Sequence, residues 1–533
     1  MIAGMSPVTG LYASIFALAV YALFGSSNTL AVGPVAVISL MTAAALGKFG
    51  FSSPAEYAAA ALLLAFLSGA ILFIMGLARL GIMANFLSQP VISAFITASC
   101  LIIAAGQLKH FFGIDSSGTV LLEIIASIVQ SLRATNPITF CIGLAAVGFL
   151  VWSRTGLAEF LQRTGASEKF ALSITRTSPL LLIGITSLLV WAFQLDTRGV
   201  RLLGEVPSGL PVFTIPVFSV EAMRSLLGSA LLIAIIGFVE SISVAQSLAA
   251  RRRERIDVDQ ELLALGASNI AVSFAGGFPV AGSFSRSVVN FEAGAATPAA
   301  GLLTAGLIAV VAMYFTPLLY WLPEVTLAAI ILVSVLAIVD FSVFRKSWAY
   351  SRADFVAASL TLSLTLLVGV EFGIAAGVIF SILIHLYKTS KPHVAVVGRV
   401  AGTEHFRNIN RHKVETFENL LSIRIDESLY FANTRYLEEM LFNLVAEKPK
   451  LEHVILMCTA VNEIDMSALD TLQSINDTLL EHGIKLHLSE VKGPIMDRLT
   501  NTEFFQTLSG NYYLSHNQAV EDLNLREAPL SGL

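Results

Sequence analysis

An arginine and three serines fall together at Ser283, Ser285, Arg286 and Ser287, in the middle of a long series of apolar segments. Ionisable groups inside a membrane region are costly, so they line a site or a pathway. Gly276, Gly277 and Pro279 interrupt any helix entering this stretch, and a new helix can begin near Gly282. A fresh first turn presents unpaired N–H groups and the positive end of the helix dipole. With a guanidinium and hydroxyl donors beside them, the chemistry on offer is the binding of an anion rather than covalent catalysis. Two further features belong with this stretch. Gly33-Pro34-Val35-Ala36 opens a short apolar segment in the first half of the chain. Short segments bounded by Gly or Pro at matching places in two halves point to broken helices meeting at a midplane site. Glu240 sits well inside an apolar segment, about three turns before Arg251-Arg252-Arg253, where a carboxylate is costly.

These residues need a membrane framework, and composition supplies it. Hydrophobic residues make up 55% of the 533 and charged ones 13%, and mean hydropathy is +0.75. A soluble domain carries about 25% charge, so the chain reads as a polytopic α-helical membrane protein in contact with membrane lipid. Apolar segments are expected at 10–25, 35–46, 55–78, 90–106, 137–152 and 179–193, then at 222–248, 262–274, 283–296, 299–315, 325–339, 355–370 and 372–386. The segments beginning at 35, 262 and 283 fall short of the roughly 20 residues that a crossing takes. Basic clusters follow several helices: Arg154 and Arg163, Arg251–Arg253, Arg345 and Lys346, Lys388 and Lys391. The positive-inside rule places these loops in the cytoplasm.

The net charge of −5 and the absence of a basic, aromatic-interleaved surface argue against nucleic acid as a partner. Cys100, Cys141 and Cys458 have neither metal-ligand spacing nor a disulfide framework and read as packing residues. No metal and no cofactor is expected. From Lys391 the chain turns polar. Strands are expected at 421–425, 453–458 and 485–488, and helices at 434–446 and 467–481, which makes a small α/β domain. The expected division is a transmembrane domain over 1–390, a linker over 391–405, the soluble domain over 406–524 and a tail over 525–533.

The chain resembles the sulfate permease (SulP) anion transporters. The likeness rests on Gly10-Leu11-Tyr12-Ala13-Ser14, Ala31–Ser39, Gly204–Pro211, Gly237–Ile242, Gly276–Pro279 and Gly282–Asn290, and the tail resembles the STAS domain that ends these transporters. The resemblance implies an inverted-repeat (seven plus seven) core/gate transporter fold with two half-helices. It implies an anion held by Val35 and Ala36, acting through backbone, and by Ser283, Phe284, Ser285 and Arg286. It also implies a homodimer, and a first helix expected upstream of Met1. An acidic residue at Glu240 is associated in the family with coupling to a cation. Glu240 with serines in the half-helix departs from the pattern of the sodium-coupled bicarbonate members, which makes a proton the expected partner in place of sodium.

Asp465-Met466-Ser467-Ala468 resembles the phosphorylation motif of isolated STAS domains, although the expectation for Ser467 in a transporter is a helix N-cap. The function expected is secondary active transport of sulfate or a related small oxyanion, proton-coupled, across the bacterial cytoplasmic membrane, with the STAS domain inside. Bicarbonate, dicarboxylate or chloride transport is the alternative within the family. A membrane-tethered STAS regulator is the alternative from another class.

Overall fold

Proline and glycine punctuate the apolar half of the chain, and its helices start and stop where they stand. In the computed structural model the described residues are 2–51, 53–82, 88–116, 118, 120–165, 167–205 and 207–525, with side chains described for all of these but 169, 172, 176, 285, 292, 371, 524 and 525. The chain divides into two compact units, Met1–Ser381 and Ile382–Leu533.

In the first unit, α1 (Pro7–Phe24), β1 (Ala31–Gly33), α2 (Ala36–Gly47) and α3 (Pro54–Leu77) come first. They are followed by α4 (Gln89–Phe112), α5 (Leu121–Ser131), α6 (Pro137–Trp152), α7 (Ala158–Arg163), α8 (Glu168–Arg176) and α9 (Ser178–Phe193). The second half holds α10 (Val220–Arg252), α11 (Val258–Phe274), β2 (Ala281–Ser283), α12 (Phe284–Glu292) and α13 (Ala299–Tyr314). It closes with α14 (Glu324–Leu336), α15 (Ser342–Tyr350), α16 (Arg352–Leu367) and the start of α17 (Val370–Ser390), whose residues from Ile382 belong to the second unit. Proline opens α1, α3 and α6 at positions where its missing N–H costs nothing. Asn136 caps α6 by accepting from Ile138 N and Thr139 N at 2.9 and 3.1 Å. Gly113, at φ 67°, ends α4.

Each expected apolar segment coincides with a helix. Helices α5, α7, α8 and α15 were not expected, because Glu123, Arg163, Glu168, Arg345 and Lys346 break the apolar runs that mark a membrane segment. The helices fall into two packing groups. Helix α11 lies along α3 and against α1, while α10 packs on α3 and α13 on α1. Separately, α4 packs on α14 and α16, and α6 on α9 and α14. The contact between α3 and α11 is tight at Gly69, where a Cβ would lie 2.7 Å from Ile270 N and 2.9 Å from Gly266 O. With lipid outside, such close backbone approach supplies the packing energy that hydrophobic burial supplies in water.

The second unit is a six-stranded sheet in the order β4-β3-β5-β6-β7-β8, built from β3 (Val394–Arg399), β4 (Phe406–Asn408), β5 (Leu420–Ile425), β6 (His453–Met457), β7 (Lys485–Ser489) and β8 (Tyr512–Tyr513). Strands β5 to β8 run parallel, and β3 is antiparallel to both its neighbours. Its helices are α18 (Thr434–Ala446), α19 (Met466–Glu481), α20 (Gly493–Leu499), α21 (Glu503–Gln506) and α22 (His516–Leu525). Leu421, Ile423, Val454 and Leu456 share a core with residues of α18 to α21. Leu420 and Ile455, on the opposite face, pack with Ala519, Val520 and Leu523 of α22. Strands buried on both faces read as continuous apolar runs, as β6 does at Val454-Ile455-Leu456-Met457, whereas β5 carries Ser422 and Arg424.

One expectation needs correcting. Residues 391–405 are not a linker, since β3 lies within them and pairs with β5 in the middle of the sheet. Val394-Ala395-Val396-Val397 carries a strand composition that the preceding lysines obscured. Of the expected tail 525–533, residues 526–533 lie outside the described residues.

Candidate functional site

Two three-residue strands from distant parts of the chain form a small antiparallel ladder, with Ala31 opposite Ser283, Val32 opposite Gly282 and Gly33 opposite Ala281. Strand β1 leads into α2 and β2 into α12. Antiparallel pairing sends the two chains out at opposite ends of the ladder, Ser283 leading directly into α12 and Gly33 leading through Pro34 and Val35 into α2. Helix α2 has 12 residues and α12 has 9. At about 18 and 14 Å long, neither crosses a hydrocarbon core of about 30 Å.

Side chains from neighbouring elements fix the ladder. Gly282 N donates to Ser241 Oγ at 2.7 Å, and that hydroxyl donates to Gly237 O within α10 at 2.5 Å. From α11, Asn269 accepts from Val280 N at 2.9 Å and donates to Val280 O at 3.0 Å. Ser287 accepts from Ala31 N at 2.9 Å and donates to Ser283 O at 2.6 Å, joining α12 to β1. A Cβ at Gly282 would lie 2.7 Å from Leu30 Cδ1 and 3.1 Å from Ser241 Cα, so a larger residue would push Leu30 aside and crowd α10.

The structure brings the sequence-expected binding residues to this ladder. Val35, with φ −120° and ψ 144°, immediately precedes α2, and no side chain caps that helix. The first-turn N–H groups from Ala36 onward therefore remain available. Ser283 is buried at the start of α12, and Phe284 is 56% exposed beside it. Ser285 follows in the same turn, its side chain lying outside the described residues. Arg286 Nη2 donates to Pro34 O at 3.0 Å, which carries the guanidinium from one half-helix to the foot of the other. Arg286 is exposed, and among the described residues no carboxylate pairs with it. Helix α10 packs against β2, α2 and α12 and carries Glu240, whose Oε2 is buried without a hydrogen-bond partner. Cys100, on α4, is within electrostatic reach of Glu240.

Two residues that hold the ladder, Ser241 and Asn269, were not expected, and Ser287, one of the three serines of the polar stretch, ties α12 to β1. Glu261, which was not expected either, is fully buried and accepts from Tyr21 OH at 2.8 and 3.0 Å, Ser26 N at 2.8 Å, Ser26 Oγ at 2.7 Å and Ser27 N at 3.1 Å. The expected segment began at 262, one residue beyond this carboxylate. An acidic residue at the head of an apolar run was available as a signal. Glu261 anchors the loop that delivers β1. Among the described residues no group of three or more His, Cys, Asp or Glu could hold a metal ion.

In the second unit, Ser467 is not the cap of α19. Asp465 is, accepting from Ala468 N at 2.8 Å through one oxygen and from Phe431 N at 2.8 Å through the other. A carboxylate two residues upstream outcompetes the serine for the orphan amides, and Ser467 stands exposed in the first turn.

Comparison with known proteins agrees with this architecture. The sulfate permease family matches residues 1–361 and the STAS domain matches residues 411–519. Sulfate transporter 4.1, chloroplastic, of Arabidopsis thaliana is 33% identical over 92% of this chain and 71% of its own length. Probable sulfate transporter MT1781 of Mycobacterium tuberculosis is 31% identical over 95% of this chain and 90% of its own. The solved structure of murine Slc26a9 in the inward-facing state superposes with a TM-score of 0.87 at 21% identity, covering 98% of this chain and 88% of that one. The transmembrane domain of the cyanobacterial bicarbonate transporter BicA gives 0.58 at 22% identity, over 70% and 91%. The fold is that of a seven-plus-seven inverted-repeat membrane transporter followed by an α/β STAS domain. The chain belongs to the sulfate permease family of anion transporters.

Proposed function

We propose that the chain is a proton-coupled secondary transporter of sulfate or a related small oxyanion in the bacterial cytoplasmic membrane, with its STAS domain in the cytoplasm. The observation that carries this reading is the ladder that sets two half-helix N-termini side by side with Arg286 bridging them. An oxyanion there meets two partial charges of about +0.5 each and a guanidinium that can pair with two oxygens. Val35 and Ala36 bind through the N–H groups of one helix, and Ser283 to Arg286 through those of the other. The curated relatives named above are sulfate transporters, which favours a divalent oxyanion.

Glu240 supplies the coupling. Among the described residues its buried Oε2 has no hydrogen-bond partner, so a proton is the natural species to neutralise it when the anion enters. Movement follows from the two packing groups, with α1, α3, α10, α11 and α13 carrying the site as a core against a gate of α4, α6, α9, α14 and α16. The basic loops after α6, α10 and α14 face the cytoplasm, and the family resemblance favours a homodimer.

The test is uptake of labelled sulfate, bicarbonate and succinate into vesicles reconstituted with the full chain, with and without an inward proton gradient. Gradient-driven sulfate accumulation is expected in the wild type. Glu240→Gln should keep sulfate exchange and lose accumulation. Accumulation that survives in Glu240→Gln would remove Glu240 as the coupling group, and uptake driven by sodium would replace the proton.

A further inference from the structure

Away from the half-helices, α6 ends in an unusual way. It passes through a π turn, Ser153–Leu157, before α7 begins, and such turns recur where a helix is adapted for a function. The turn holds Arg154 against α14, where Nη1 donates to Val333 O at 3.3 Å. The other N–H groups of Arg154 have no partner among the described residues. A cleft of about 280 Å³ opens beside it, where α6, α9 and α14 meet.

The lining is mixed. Arg154, Thr175, Ser178 and Ser334 are its polar members, and no carboxylate lines the cleft among the described residues. Thr175 Oγ1 is committed to Ala171 O at 2.9 Å and Ser178 Oγ pairs with Ser153 Oγ at 2.9 Å. Arg154 and the exposed Ser334 are left to meet a ligand. The 16-residue α9 begins at Ser178 of this lining and turns the positive end of its dipole to the cleft. Leu150, Pro179, Ile330 and Val333 are its apolar members. Depth is marked by Trp152, 44% exposed, where the apolar span gives way to charged α7 and α8. Exposed tryptophan is characteristic of the boundary between hydrocarbon and headgroups.

We propose that this cleft binds an anionic phospholipid. Its phosphodiester is held by Arg154 and Ser334, and its glycerol and first acyl carbons lie against Leu150, Ile330 and Val333. Sites that enclose a whole small molecule start at about 300 Å³, so the cleft takes the headgroup end and leaves the acyl chains in the bilayer. A basic pocket between helices at the membrane surface is the setting in which lipid phosphates are recognised. A lipid bound there ties α6, α9 and α14 together.

The experiment uses the full chain in neutral detergent, titrated with short-chain phosphatidylglycerol, short-chain phosphatidylcholine or inorganic phosphate. It is read by native mass spectrometry and by thermal melting. The variants are Arg154→Ala, Ser334→Leu, which fills the cleft while keeping the arginine, and Arg163→Ala as a control whose side chain is 81% exposed and pairs with Glu159. Saturable binding of phosphatidylglycerol with a raised melting temperature is expected in wild type and Arg163→Ala, and not with phosphatidylcholine. Arg154→Ala and Ser334→Leu should each weaken it roughly tenfold or more. If Arg154→Ala does not fold, Ser334→Leu decides. Equal stabilisation by inorganic phosphate at the same concentration would overturn the lipid in favour of a free anion. Unchanged phosphatidylglycerol affinity in the folded variants would overturn the site itself.

Discussion

Arg286 is the side chain on which anion binding turns, because it alone adds a whole positive charge to two helix ends. Removing its guanidinium as Arg286→Gln should weaken binding of a divalent oxyanion by about 1.5–3 kcal/mol, the range for hydrogen bonds to charged groups. A monovalent anion should lose less, and equilibrium binding of sulfate and of nitrate to the purified variant measures both. Equal losses for the two would show that charge is not what Arg286 contributes. Ser241 acts differently, through Gly282 N. Ser241→Ala leaves that buried amide without an acceptor, at a cost of about 1–3 kcal/mol, and should lower both the melting temperature and sulfate affinity. Arg286 was legible in the sequence because an arginine among apolar residues has few innocent explanations. Ser241 was not, since its partner lies 41 residues away and a serine in a helix is unremarkable by itself.

At the scale of elements, the half-helices were legible from Gly33-Pro34 and from Gly276 to Gly282, because glycine clustered with proline breaks a helix where a lone glycine, such as Gly237 in α10, does not. The strands β1 and β2 were not, since three residues carry no period. The same limit explains β3, whose Val394–Arg399 run was passed over as linker. Its place in the middle of the sheet has a consequence for the isolated domain. A fragment beginning at 391 should melt cooperatively, whereas one beginning at 406 leaves β5 with a bare edge and β4 unpaired, and should be insoluble or molten by circular dichroism.

The first of these fragments also carries a pH dependence. Burial pushes the His516 imidazole down to about 4 from its ordinary 6.5, with Glu490 opposing. The folded domain thus keeps it neutral while the unfolded chain takes up a proton. Stability is full above about pH 6.5 and falls on acidification toward about pH 4, by up to roughly 3 kcal/mol. His516→Asn should flatten that decline in denaturant titrations, and a decline of unchanged size would place its origin elsewhere.

For the molecule as a whole, fold class was readable because so much of it is encoded in hydropathy and in helix-breaking residues, which need no partner to be recognised. The grouping of helices was not, because it depends on contacts between segments far apart, such as α3 with α11 and α4 with α16. Leu40 of α2, a helix that packs on both α10 and α4, lies against the buried cluster that holds Cys100 of α4. If one group moves against the other, bridging Leu40→Cys to Cys100 with a short thiol reagent should arrest sulfate uptake, and cleaving the bridge should restore it. Full activity in the bridged state would mean that this contact is not part of the moving surface.

The ladder also sets a timetable for synthesis. Ala31 bonds to Ser287, 256 residues later, so at about 5–20 residues per second the first strand waits roughly 13–50 s for its partner. Throughout that interval β1 and the open end of α2 have unpaired backbone groups at membrane depth, where lipid satisfies none of them. The early part of the chain must therefore stay with the insertion machinery, or in a water-filled vestibule, until Ala281–Ser283 emerges. Cells making this protein hold an incomplete half-site for about half of its translation.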